Sequence, residues 1–256
     1  MRKFGFLSVF VLIFFIYSAT GFARSEGQLP EYQLLFSLDV GWTNNKDMND
    51  EVKKLAQDDM EELKLAPLNY SNFSDSISKG NLPVGFDLDF RYFNDNFGIG
   101  LQVGYHLTKA ESELSASGSP GYSPVKTTST IELSVVPVVV TLFYRFESDS
   151  SNSFVLVGGG LGYYFGTISY DWKMTGGGTG SDSMPDFKQS KIGFHILLEY
   201  DYAFDFGLTL FGGIKARYVQ FNEFKDGSYY LENYKHEKFK AGLTGVSLYL
   251  GAGASF

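Results

Sequence analysis

The sequence predicts an all-β chain, an eight-stranded antiparallel up-and-down transmembrane β-barrel with a short amphipathic helix in its first extracellular loop. Three observations predict it. Apolar residues recur at every second position in eight segments, one face of each segment is apolar while the other is polar or small, and the connections alternate short and long. Composition points the same way: 17% of the 256 residues are aromatic, only 20% are charged, and the 29 glycines are dispersed. A formal charge of −8 repels phosphate backbones and argues against a nucleic-acid partner. The absence of cysteine excludes disulfides, thiolate metal sites, a cysteine nucleophile and a lipoprotein anchor.

Residues 1–23 open with Arg2 and Lys3, run through an apolar stretch from Phe4 to Tyr17 and close on small residues ahead of Ala23. That order is the pattern of a cleaved secretory signal peptide. A membrane anchor would need about 20 unbroken apolar residues, more than this stretch offers. The barrel domain is then 24–256, working outside the cytoplasm.

In the first segment Tyr32, Leu34, Phe36, Leu38, Val40 and Trp42 oppose Gln33, Ser37, Asp39 and Gly41. The second sets Leu82 to Tyr92 against Gly85, Asp87, Asp89 and Arg91; the third sets Phe97 to Leu107 against Gly98, Gly100, Gln102, Gly104 and His106. The fourth, 127–146, starts with Ile131, Leu133 and Val135 on its apolar face and changes phase near Pro137, where a bulge is expected because proline cannot donate to a ladder. Val155 to Phe165 form the fifth, Ile192 to Phe204 the sixth and Leu208 to Tyr218 the seventh. Val246 to Phe256 close the chain. A soluble sandwich also alternates, but these polar faces are too charged and too small for a sandwich core.

Short connections fall at 94–96, 147–152 and around Asp205; long ones at 44–79, 113–126, 173–186 and 225–238. One end thus carries tight turns and both termini on the periplasmic side, and the other carries extracellular loops. Trp42, Tyr105, Tyr163 and Tyr218 would mark the outer aromatic girdle, and Tyr32, Tyr92, Tyr200 and Tyr202 the inner one. Within 44–79, Val52, Leu55, Ala56, Met60 and Leu63 recur at helical spacing from about Lys46 to Leu65, with Pro67 just beyond. Such a helix serves as a lid over the mouth or as a docking surface, and its acidity suits lipopolysaccharide only through bridging divalent cations.

Eight strands enclose an interior just wide enough for side chains, which accounts for inward glycines such as Gly98, Gly100, Gly158, Gly160, Gly162, Gly251 and Gly253. The inward face collects Asp39, Asp87, Asp89, Arg91, His106, Glu132, Arg145, His195, Glu199, Asp201, Lys215 and Arg217. Unpaired charges in an enclosed space are costly, so opposite signs should pair, Glu199 or Asp201 with bases on the neighbouring seventh strand. The result is either a salt-bridged plug or a gate along a narrow path.

No catalytic residue is assigned. Of the three histidines, His106 and His195 point inward without a serine two residues on, His106 is followed by Thr108, and His236 lies in a loop beside Glu237. No paired-histidine motif suggests a metal, and the Gly158 to Gly162 run lacks any phosphate-loop pattern, so no cofactor is expected.

The closing strand with its terminal Phe256, together with Val136-Pro137-Val138-Val139-Val140-Thr141 and Val157-Gly158-Gly159-Gly160-Leu161-Gly162-Tyr163-Tyr164, resembles the eight-stranded outer-membrane proteins of the OmpA, OmpX and OmpW kind. The resemblance implies that Phe256 is the signal read by the barrel assembly machinery. It spans the barrel domain but identifies a fold and an address, not an activity. The first loop is long for the small members, and the peptidoglycan-binding role of OmpA is not expected here. The expectation is a monomeric, non-enzymatic bacterial outer-membrane protein with a mostly occluded polar lumen, surrounded by lipid and lipopolysaccharide, with a structural or surface-interaction role and an extracellular ligand at its loops. A narrow channel for small or hydrophobic solutes is the first rival, and a lipopolysaccharide-modifying enzyme the second.

Overall fold

A computed structural model describes residues 30–65, 70–117, 123–147, 152–176 and 179–256. The predicted signal peptide, 1–23, lies outside the described residues. Eight long antiparallel strands dominate: β1 (Tyr32–Thr43), β2 (Val84–Asn94), β3 (Phe97–Ser117), β4 (Val125–Glu147), β5 (Ser153–Thr175), β6 (Phe187–Ala203), β7 (Leu208–Tyr218) and β8 (Gly245–Ser255). Each pairs with the next, and β8 returns to β1 with Leu34 opposite Ala254 and Trp42 opposite Val246. The ring of pairings is therefore closed, which is consistent with a β-barrel. Tyr32 and Phe256 exchange backbone bonds at 2.8 and 2.9 Å where the ends meet.

β3, β4 and β5 run for 21, 23 and 23 residues, about twice the 11 of β2, β7 and β8. Their far halves rise as a wall, extended by short strands at Ser71–Ser78 and Gly180–Ser183. Helix α1 (Lys46–Leu65) coincides with the amphipathic stretch and packs against β3 and β4, burying Met48, Val52, Ala56 and Leu63. The segment 219–244 turns inward at both ends and leaves 225–230 and 234–238 exposed. It buries Val219, Phe221, Phe224, Phe239, Ala241 and Leu243 with Met48, Val52, Leu133, Tyr164 and Ile168 in one apolar core.

Two expectations about β4 are corrected. The β4–β5 ladder runs without a slip from Lys126 opposite Thr175 to Glu147 opposite Phe154, so no bulge exists at Pro137. On the β3 side the pairing omits Pro137 and Val136, consistent with the missing N–H, and resumes in the same register. One phase therefore holds along the strand: Ile131, Leu133, Val135, Val139, Phe143 and Arg145 are buried inside, and Glu132 lies on the outer face. The expected inward Glu132 rested on taking the apolar residues as outward, whereas here they face the core beneath α1.

The outward faces share a boundary. On the turn side they are apolar and open, with Leu142 66%, Leu161 67%, Ile192 72% and Leu250 69% exposed. Leu107, Val136, Phe165 and Ile192 are the last apolar positions; beyond them come Lys109, Ser134, Glu132, Thr167, Ser169 and Lys188.

Candidate functional site

The interior below the apolar core holds two clusters of ion pairs. In the one nearer the turns, Arg91 on β2 reaches β6 across the ring. Its Nε donates to Asp89 Oδ2 at 2.7 Å, its Nη2 donates to Glu199 Oε2 at 3.1 Å, its Nη1 bonds Glu199 Oε1, and Asp201 Oδ2 lies 3.9 Å away. The guanidinium stands 4.6 Å from the Phe143 ring centre and 5.6 Å from that of Phe211. Gln33 Nε2 donates to Asp201 at 3.4 Å. Glu199 thus pairs across the interior with β2 and not with a base on β7, because the inward β7 residue opposite it is Gly213.

In the second cluster Asp87 gathers three partners. Lys215 Nζ donates to its Oδ2 at 3.1 Å, Arg217 Nη2 to the same oxygen at 3.4 Å, and His106 Nε2 lies 2.9 Å from its Oδ1. Arg217 also binds Asp39 through both terminal nitrogens, at 2.7 and 3.3 Å, and Ser247 Oγ donates to Asp39 at 3.1 Å. Gly104 makes this possible: a Cβ there would overlap the Asp87 carboxylate. His195 is buried beside Thr141, its Nε2 3.2 Å from Oγ1. Arg145 stands apart near the turns, stacked 3.9 Å from Phe93 and 4.8 Å from Phe154, with Nη2 donating to Pro30 O at 2.8 Å.

The structure therefore brings Asp39, Asp87, Asp89, Arg91, Glu199, Asp201, Lys215 and Arg217 into the interior clusters, sets Arg145 and His195 apart from them, and puts Glu132 outside. Phe256 ends the closing strand with its ring 6.0 Å from Tyr32. Gln33, Ser247, Thr141 and the rings of Phe143 and Phe211 were not singled out by the sequence reading; all lie at inward positions of their segments, which was the available signal. The predicted loop at 225–238 is largely exposed, whereas the inward turn of its flanks was not foreseen, although the apolar Phe221, Phe224 and Phe239 just outside it were an available signal.

The arrangement separates the parts of a catalytic triad. His106 has its carboxylate in Asp87 but its Nδ1 has no partner, while His195 has a hydroxyl in Thr141 but no carboxylate within ion-pair distance among the described residues. No three His, Asp or Glu side chains among the described residues are grouped to hold a metal.

Above the core, α1 is tied down by its own acids. Asp47 Oδ2 accepts from the Lys240 N–H at 3.0 Å and from Asn233 Nδ2 at 3.3 Å, and Glu51 Oε2 accepts from the Tyr234 N–H at 2.9 Å. Burial pushes the Glu51 carboxyl up, against the pull of that N–H, and Asp47 and Asp58 push the same way. Asn45 joins the helix start to Gly80 O at 2.8 Å and to the Gly242 N–H at 2.9 Å. An apolar cavity of about 110 Å³ remains between Leu55, Ile131, Ile168, Tyr170, Leu231 and Phe239, beside the gap where β5–β6 pairing stops at Ile168 opposite Phe187.

No protein-family model matches the chain, and no curated protein matches it. Among solved structures, the translocator domain of the autotransporter NalP from Neisseria meningitidis aligns over 98% of this chain and 95% of its own, at 8% identity and a TM-score of 0.22. A bacterial polysaccharide outer membrane secretin aligns over 90% of this chain and 100% of its own, at 8% identity and a TM-score of 0.18. No helix among the described residues is long and apolar enough to cross a membrane, which leaves a β-barrel crossing open.

Proposed function

We propose that the chain is a non-enzymatic, monomeric, eight-stranded transmembrane β-barrel of the bacterial outer membrane, with an occluded interior and a rigid loop platform that serves surface interaction. The observation that carries this reading is the continuous belt of exposed apolar side chains around the closed ring, ending at one boundary. Soluble monomers rarely expose contiguous apolar patches beyond a few hundred Å², and every strand of the ring contributes exposed apolar residues here. About 9–11 residues carry a tilted strand across a bilayer. The 11-residue strands are of that length, and the 21- to 23-residue strands have as much again to build the lidded mouth outside. On this reading the turns and termini are periplasmic, the cleaved leader exports the chain, and Phe256 addresses it to the barrel assembly machinery, as in the OmpA, OmpX and OmpW proteins it resembles.

What fills the ring supports occlusion: Phe93, Phe143, Phe154 and Leu156 near the turns, ion pairs above them, and the apolar core under α1. Single-channel recording in a planar bilayer tests it, on protein whose insertion is first established by circular dichroism and protease protection. The expected result is silence. Reproducible conductance steps that change in Lys215→Ala/Arg217→Ala would overturn occlusion in favour of a gated channel, and failure to insert would overturn the membrane reading itself.

A further inference from the structure

Outside the wall, just beyond the last apolar rung, lies a cationic cleft that a chain of net charge −8 does not lead one to expect. Lys188 and Lys225 are direct partners across an antiparallel pair, an arrangement that is destabilising for two like charges. Glu223 shares the cleft with them but is engaged elsewhere, accepting from Lys238 Nζ at 2.6 Å. That hydrogen bond, with the charges of Lys238, Lys225 and Lys191 behind it, holds the Glu223 carboxyl below its ordinary range. Neither Lys188 nor Lys225 has a carboxylate within ion-pair distance among the described residues. Lys225 instead stands 4.5 Å from the centre of the Tyr230 ring, which Lys238 also approaches, at 5.0 Å. Two cations held side by side, with the acid that lines the cleft beside them occupied by Lys238, fit a doubly charged phosphate monoester.

Height decides where that phosphate comes from. Lys188 lies opposite Thr167, two residues beyond the outward Phe165, which makes about 7 Å along the strand. Apolar wall below and paired ammonium groups above repeat the order of an acyl chain and its phosphorylated headgroup. We propose that the Lys188–Lys225 cleft binds the phosphate of an anionic lipid headgroup in the leaflet surrounding the loop end of the barrel. The inference rests on the transmembrane reading given above.

The test uses the full chain refolded in phosphatidylcholine vesicles, with insertion established first on the same sample, and then native mass spectrometry from mild detergent with added phosphatidic acid or the matching diacylglycerol. The expected result is that phosphatidic acid is retained and diacylglycerol is not. Retention should fall by about tenfold or more in Lys188→Gln/Lys225→Gln, since two charge-assisted contacts are lost. It should be unchanged in Lys109→Gln, a lysine just beyond the boundary on another strand. Equal retention of diacylglycerol, an unaffected double variant, or an equal loss in the Lys109 variant would overturn the site. Displacement by an equal concentration of inorganic phosphate would overturn the lipid as its source and leave a free-phosphate site. A chain that does not insert overturns the transmembrane reading and the lipid source with it, a result separate from a lost lysine dependence in inserted protein.

Discussion

The turn-side and loop-side halves of the molecule share the long strands β3, β4 and β5 in one register, yet the faces of those strands have opposite polarity in the two. On the turn side Leu101, Leu142 and Leu161 point out while Arg91, Glu199 and Asp87 point in. Beyond the boundary Lys109, Glu132 and Ser169 point out while Ile131, Leu133 and Ile168 point in. Alternation with period two says only that a strand has two unlike faces; the medium on each side decides which face is apolar. The loop-side half obeys the rule of a soluble protein, with an apolar core under a helix and charges outside. The turn-side half obeys the rule of a membrane barrel.

The two halves should break differently, and the largest effect is expected on the turn side. Arg91→Ala leaves Glu199 unpaired, with Asp89 and Asp201 close by, in an interior where the Arg91 and Glu199 side chains are 3% and 0% exposed. Removing one partner of such a buried pair costs about 3–5 kcal/mol. The urea midpoint of the lipid-refolded protein should drop accordingly, and Arg91→Ala/Glu199→Ala should recover part of the loss. A drop under about 1 kcal/mol would mean that water reaches this cluster and that the interior is not closed.

On the loop side the failure should be local. Val52→Ala removes two methyl groups from a fully buried position in the core under the lid, worth about 2 kcal/mol with the cavity it leaves. Hydrogen exchange should quicken in 46–65 and 219–244, which share that core, and stay unchanged in the turn-side segments of β2 and β7. Equal quickening in both halves would show a single cooperative unit in place of two.

How much of this could be read from the sequence follows from the same division. Strands β2, β6 and β8 lie mostly on one side of the boundary, so their faces are legible from alternation alone, and so is the closure by the segment ending at Phe256. α1 is legible because Val52, Ala56 and Leu63 recur at helical spacing among charges. β4 crosses the boundary, and a reader who assigns every apolar face outward must invent a phase change at Pro137 to keep the rule. The pairing of Arg91 with Glu199 was not legible either, since residues 108 apart meet only through the stagger of the closed ring. The inward turn of the two ends of 219–244 depends on the space under the helix, of which the apolar Phe221, Phe224 and Phe239 give a local sign without giving the direction.

The smallest expected effect is the one that separates the two readings of β4. Glu132 is half-buried on the outer face, opposite Lys109 on β3 and Ser169 on β5, and the Lys109 ammonium is engaged by Glu111. Glu132→Gln therefore removes a charge from the outer face of the wall, where Lys109 already has Glu111 as its partner, and stability should stay within about 0.5 kcal/mol of the parent. Were Glu132 turned into the ring, the same change would remove a buried acid from a charge network and cost several kcal/mol. A urea midpoint indistinguishable from the parent fixes β4 in one phase through Pro137. A drop comparable to that of Arg91→Ala would restore the bulge, turn Ile131 and Leu133 outward, and dissolve the apolar core on which the lid rests.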